Sequence, residues 1–168
     1  MSQEQSQPFH IERAVSSDYS VICRLITEEH AMHVTARPDI FQPCGTLLTK
    51  DEYEAMQKDD TYFLYMARTS GGETAGLCFA KLTETASPLL CKKKFLYIED
   101  FIVSEPFRRR GIGRMLYAKI KEAAVLSGAE GAELTVWNFN ESAAAFYRAL
   151  GMKAVSYTHL TLPTNREV

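Results

Sequence analysis

No apolar run in this sequence approaches the ~20 residues that a membrane-spanning helix needs, so a bilayer-embedded protein is not expected. A surplus of one charge sign is also missing: 19 Lys and Arg stand against 21 Asp and Glu, a net charge of −2. Nucleic-acid coats and binders of anionic membranes are normally much more basic, so neither partner is expected. Cysteine is sparse, at Cys23, Cys44, Cys78 and Cys91, with no C-x-x-C pair. The opening Met1-Ser2-Gln3-Glu4-Gln5-Ser6 lacks the charged-then-apolar order of an export signal. Together these features read as reduced thiols in a cytoplasmic protein, not a disulfide frame or a zinc site. Internal repeats and Pro/Gly-rich linkers are absent as well. What remains is ordinary: 168 residues, 46% hydrophobic and 24% charged, enough for one domain with a real core.

The pattern along the chain predicts an α+β domain in the order β-α-α-β-β-β-α-β-α-β. Phe9 to Ala14 alternates as a strand, and Ser16-Ser17-Asp18 offers N-caps for a helix carrying Ile22, Leu25, Ile26 and Glu29 on one stripe. Arg37-Pro38 ends that helix, because a residue before proline is pushed out of the α region. Thr49-Lys50-Asp51-Glu52 reads as a capping box. Tyr62 to Ala67 and Ala75 to Leu82, joined by Ser70-Gly71-Gly72-Glu73, read as a hairpin. Lys92-Lys93-Lys94 belongs to a solvated loop. Phe95 to Val103 is an apolar strand interrupted by two carboxylates, which simple alternation places with Glu99 on the face of Tyr97, Phe101 and Val103. Gly111 to Ser127 is an amphipathic helix closed by Gly128, Ala132 to Trp137 a strand, and Asn140 the cap of a last helix that stops at Gly151.

Arg108-Arg109-Arg110-Gly111-Ile112-Gly113, with Arg114 next, lies between an apolar strand and a helix. A helix start exposes unpaired N–H groups at the positive end of the helix dipole. Two glycines let a phosphate approach the main chain, so the segment reads either as a pyrophosphate cradle or as a glycine turn with surface arginines. It has neither the spacing of a Walker P-loop nor the three glycines of a dinucleotide fingerprint.

From Tyr97 to Gly151 the sequence resembles the GCN5-related N-acetyltransferase (GNAT) family. The R-x-x-G-x-G run of Arg108, Gly111 and Gly113 is similar to the family's pyrophosphate-binding motif. Ile98 to Val103 is similar to its fourth strand. Asn138-x-Asn140-Glu141 followed by Phe146-Tyr147-x-x-x-Gly151 is similar to its closing strand-to-helix segment. The resemblance implies a central mixed, mostly antiparallel twisted sheet flanked by helices, and transfer of an acetyl group from acetyl-CoA to a small-molecule or peptide amine. It implies CoA contacts from the main chain of Phe101, Ile102 and Val103, from Arg108 to Arg114 across Gly111, Ile112 and Gly113, and from Asn140, Phe146 and Tyr147.

Glu99 is then either a strand residue facing a basic partner or the general base that removes the proton from an ammonium of pKa ~10.4. Asp100 is its rival, or a contact for the substrate ammonium. Tyr147 is either a core aromatic or, as the resemblance implies, the acid that protonates the departing thiolate. A non-catalytic acyl-CoA-binding module is the other reading of the whole chain. In the first half, His30 and His33 sit one turn apart beside Glu29, without a clear third metal ligand, so no metal is expected. His33 and the loop Arg37-Pro38-Asp39-Ile40-Phe41 are candidates for the acceptor cleft. A homodimer is left open.

After Ala154 the resemblance stops. Val155 to Thr164 is similar to a translated frame of a transposase adapter used in DNA library preparation, so 155–168 is set apart from the 1–154 domain as a suspected non-native tail. The closing strand region should therefore be incomplete, with one short extended segment within Val155 to Leu162 beside Ala132 to Trp137, and Asn165 to Val168 loose.

Overall fold

A computed structural model of the chain describes residues 9–155. Contacts group the chain into two compact units, Met1–Thr135 and Val136–Val168. In the first, β1 (Phe9–Arg13), β2 (Tyr62–Thr69), β3 (Thr74–Glu84), β4 (Lys94–Val103) and β5 (Ala132–Leu134) form one sheet in chain order. β1 to β4 pair antiparallel, and β5 joins β4 in parallel. The mixed sheet is therefore left open, as the sequence led us to expect. Three helices belong to this unit, α1 (Tyr19–Ala36), α2 (Lys50–Lys58) and α3 (Ile112–Leu126), and α4 (Glu141–Ala149) belongs to the second.

The sheet is buried on both faces. On one, Ala67, Cys78, Ala80, Leu96 and Ile98 pack with Ile112, Leu116, Ile120 and Ala124 of α3. On the other, Leu64, Met66, Leu77, Phe79 and Ile102 pack with Ile22 and Leu25 of α1 and Tyr53 of α2. Each Leu, Ile, Met or Phe among them contributes about 1.5–3 kcal/mol when fully buried. β3 is central to both cores, which is why every residue from Thr74 to Ala80 is buried.

The local helix signals mostly hold. The Glu52 N–H donates to Thr49 Oγ1 at 3.2 Å and the Thr49 N–H to Glu52 Oε2 at 2.7 Å, the reciprocal pair of a capping box. Ser16-Ser17-Asp18 behaves differently. It forms a 3-10 turn, and the Asp18 side chain makes no capping bond to α1. Asp18 instead accepts the Val15 N–H at 2.8 Å and a bond from Arg68 Nη2 on β2. A buried cation outcompetes a helix N–H because the charged pair desolvates together.

Two strands differ from expectation. β5 ends at Leu134 rather than Trp137, and farther on the chain turns, with the Asn140 N–H donating to Trp137 O at 2.9 Å. β4 carries a bulge: Phe79 faces Asp100 and Ala80 faces Ile98, so Glu99 has no partner of its own on β3. The bulge overturns the simple alternation. Phe101 and Val103 pack against the α3-side core together with Leu96 and Ile98, on the face opposite Tyr97. The expected closing segment, Val155 to Leu162, and the loose end Asn165 to Val168 lie outside the described residues except for Val155, which is exposed and not in a strand.

Candidate active site

The segment after β4 turns sharply into α3. Phe107 is buried beneath a short turn, Glu105–Phe107, and the chain then passes through Arg109 at φ 63° and Gly111 at φ 85°. Both are left-handed, a conformation that costs a non-glycine residue about 1–2 kcal/mol. Successive N–H groups in such mixed-handed backbone converge into a concave anion site. α3 follows at once, its first backbone bond running from the Met115 N–H to Gly111 O at 3.1 Å. The N–H groups of Ile112, Gly113 and Arg114 stand before that bond and have no intrahelical acceptor. Ile112 is buried in the core and fixes the first turn in place. A Cβ built on Gly111 would meet nothing within 4 Å, so the space over the turn is open. These residues fit a bound pyrophosphate.

The four arginines divide their work. Arg109, Arg110 and Arg114 are exposed at the rim, with the Arg110 guanidinium 5.9 Å from the Phe107 ring. Arg108, also exposed, turns back and donates from Nε to Val103 O at 3.0 Å, holding the end of β4.

β5 pairs only with Leu96, Tyr97 and Ile98, so β4 outruns it. The Ser104 N–H donates to Ala75 O across the β3 side at 2.9 Å. Antiparallel pairing alternates along the ladder, so Ile102 directs its main-chain groups to β3, while Phe101 and Val103 direct theirs to the β5 side. That is the stretch expected to meet the pantetheine arm.

Three carboxylates gather where β4 meets α1. Glu99 is exposed on the bulge, and partial burial raises its pKa while nearby Lys81 opposes the rise. Asp100 is half-buried and pushed up to about 6, by burial first and by Glu99 second. Glu29 on α1 is pushed up to about 7 by burial and then by Asp100, with Arg108 pulling the other way. The sequence places Glu29 on the α1 stripe and beside the histidines, without a functional role. Its signal was a carboxylate on the apolar stripe of Ile22, Leu25 and Ile26. Each of these groups becomes a better proton acceptor near neutral pH than an ordinary carboxylate.

The other predicted residues fall as follows. His33 donates from Nδ1 to Glu29 O at 3.0 Å, and its ring lies 5.2 Å from Phe41. Arg37 is engaged within its own loop, with two bonds of 2.8 and 2.6 Å to Asp39. Among the described residues no group of three or more His, Cys, Asp or Glu could hold a metal ion, and no helix is long and apolar enough to cross a membrane. In the second unit the Asn140 side chain caps α4 by accepting the Ala143 N–H at 3.1 Å. Phe146 and Tyr147 are half-buried, with ring centroids 5.4 Å apart.

The chain spans about a third of the length of the curated relatives it matches. L-ornithine N5-acetyltransferase of Arabidopsis thaliana is 36% identical over 64 residues, 38% of this chain and 28% of the relative. Thialysine N-epsilon-acetyltransferase of Bos taurus is 35% identical over 60 residues, 36% of this chain and 35% of the relative. Among solved structures, a tetramutant of the BH1408 protein from Bacillus halodurans superposes with a TM-score of 0.84 at 30% identity, covering 92% of this chain and 99% of that one. The aminoglycoside 6'-N-acetyltransferase of Acinetobacter baumannii, at 15% identity and a TM-score of 0.70 over 92% of this chain and 99% of its own, shares the fold. The family model for acetyltransferases (GNAT) matches residues 27–152, from the middle of α1 through the end of α4, and the chain belongs to that family.

Proposed function

We propose that the chain transfers an acetyl group from acetyl-CoA to a primary amine, by direct attack within a ternary complex. The observation that carries this reading is the left-handed backbone of Arg109 and Gly111 at the head of α3, directly after a strand that outruns its neighbour. Bound acetyl-CoA supplies an activated acyl thioester. The N–H groups of Ile112, Gly113 and Arg114, with Arg109 and Arg110, hold the pyrophosphate. Arg108 keeps the end of β4 in place, and the main chain of Phe101 to Val103 pairs with the pantetheine arm. A main-chain N–H of that stretch polarises the thioester carbonyl, a contribution typically of about 2.7–4 kcal/mol.

Asp100 and Glu29 receive the acceptor's ammonium, Glu99 takes its proton, and the freed amine nitrogen forms the new C–N bond as the C–S bond breaks. His33 and Arg37 line the approach. Asn140 contacts the pantetheine arm and, on the family pattern, Tyr147 returns a proton to the departing thiolate. Ornithine and thialysine, in the names of the two relatives, support an amine acceptor as a class. Direct transfer is supported by Cys78: burial raises its pKa well above the ordinary thiol value, and a thiol so far from ionisation is a poor acyl carrier.

An acetyl-CoA consumption screen across polyamines, amino acids, aminoglycosides and peptide N-termini tests the reading. Turnover with at least one amine is expected. Tight CoA binding without turnover on any amine would instead identify a binding module.

Two variants follow from the assigned proton transfers. Glu99→Gln should lose activity at neutral pH and recover part of it at alkaline pH, where free amine is more abundant. In both proteins the acceptor KM should rise as pH falls through about 7 and then about 6, because protonating Glu29 and Asp100 removes the charge that attracts an ammonium. Identical pH–rate profiles for the two would remove Glu99 as the base. Tyr147→Phe should lower kcat by ~10²–10⁴-fold with CoA affinity unchanged, the range of a lost general acid. A kcat that does not move returns Tyr147 to a packing role.

A further inference from the structure

Gly76 of β3 faces Val103 of β4 across the ladder. A Cβ built at Gly76 would lie 2.5 Å from Ile102 O and 3.2 Å from Val103 Cα. Gly76 is not left-handed, so its lack of a side chain answers a close approach and not a backbone requirement. What approaches is the peptide group joining Ile102 to Val103. In a trans peptide the C=O and the N–H point in opposite directions. The Ile102 carbonyl leans over Gly76 on the β3 side, so the Val103 N–H is aimed to the β5 side. The next peptide along, Val103 to Ser104, is held separately, because Val103 O accepts from Arg108 Nε at 3.0 Å. Opposite Gly76, β2 presents Ala67, and β3 itself bulges at Ala75, since Ala67 faces Gly76 and Arg68 faces Thr74. The close approach to Gly76 comes from the β4 side, since the three atoms nearest a Cβ there all belong to Ile102 and Val103.

We infer that Gly76 is a positioning residue for acyl transfer: its missing side chain sets how deep the Ile102–Val103 peptide sits, and so where the Val103 N–H meets the thioester carbonyl. This rests on the acetyl-CoA reading above. A methyl group at position 76 would drive the Ile102 carbonyl away by about 0.9 Å to restore an ordinary contact of 3.4 Å. The peptide moves as a rigid plane, so the Val103 N–H advances with it into the space meant for the acyl group. A displacement of ~1 Å in a reacting geometry is worth on the order of 10²-fold in rate.

Gly76→Ala is expected to bind CoA within about threefold of the parent and to lose ~10²-fold in kcat. Isotope-edited infrared spectra of bound acetyl-CoA separate positioning from stability. In the parent the thioester carbonyl stretch is lowered relative to free acetyl-CoA, and in Gly76→Ala it returns to the free value. Leu77→Ala, one residue along β3 with its side chain in the opposite core, lowers thermal stability and leaves the carbonyl stretch lowered. A folded Gly76→Ala that keeps both kcat and the lowered stretch overturns the inference. Should that variant not fold, the parent decides by NMR: acetyl-CoA, and not CoA, should shift the Val103 amide proton, and an equal response to both ligands overturns it. A parent that binds no acetyl-CoA in calorimetry defeats the acetyl-CoA reading and this inference together. A parent that binds acetyl-CoA with an unshifted carbonyl stretch defeats the positioning role alone.

Discussion

Gly111→Glu is expected to abolish CoA binding while the fold survives. Gly111 stands at φ 85° at the head of α3, and a Cβ there meets nothing within 4 Å. A Cβ at this position therefore clashes with no atom of the described residues. It adds about 1–2 kcal/mol of left-handed strain, which a domain with two cores tolerates. What it does fill is the space over the cradle, with a carboxylate where the pyrophosphate should lie. Repulsion between like charges and the loss of the N–H contacts act together. Gly111→Ala separates the parts, because it carries the strain without the charge and should weaken binding far less. Calorimetry with CoA and circular dichroism decide the matter: native dichroism with unchanged affinity in the glutamate variant would sink the cradle.

Asp18→Ala should destabilise the fold strongly. Asp18 and Arg68 are both largely withdrawn from water, with side chains 8% and 14% exposed. Arg68 also reaches Glu12 on β1 and donates from Nη1 to Thr74 Oγ1 at 2.9 Å on β3. Three strands and the turn before α1 thus share one guanidinium. Removing one partner of a buried pair typically costs about 3–5 kcal/mol, because a charge is left uncompensated. Glu12 remains, so a loss near ~3 kcal/mol is expected, or roughly 6–12 °C in Tm for a chain of this size. Tyr53 adds a local readout. Its pKa is pushed up to about 12, by burial first and then by the Asp18 charge, so it should titrate lower in the variant. A Tm within about 2 °C of the parent would show that the network carries little stability.

Features fixed by neighbours in sequence are legible from the sequence alone. The Thr49 capping box, the Asn140 cap and the Gly111 turn depend on residues within four positions, and each appears as read. What escaped depends on distant partners. Asp18 looked like a helix cap because its true partner, Arg68, lies 50 residues on. Glu29 looked unremarkable until α1 brought it near Asp100. The arginine motif was visible as a unit, yet only the fold shows that Arg108 spends its Nε on Val103 O. The bulge at Glu99 was hidden most deeply, because period-2 alternation reads one strand alone and a bulge is a property of two.

That bulge makes the carboxylate a detachable part. On either side of Glu99 the pairing of β3 with β4 continues unbroken, with Ala80 against Ile98 and Phe79 against Asp100. A chain lacking this one residue would close the ladder without turning any other side chain over, and both cores would keep every member they have. Insertion or loss of a single codon could thus add or remove a proton acceptor in this strand with no repacking elsewhere. The chemistry and the architecture of β4 are free to change separately.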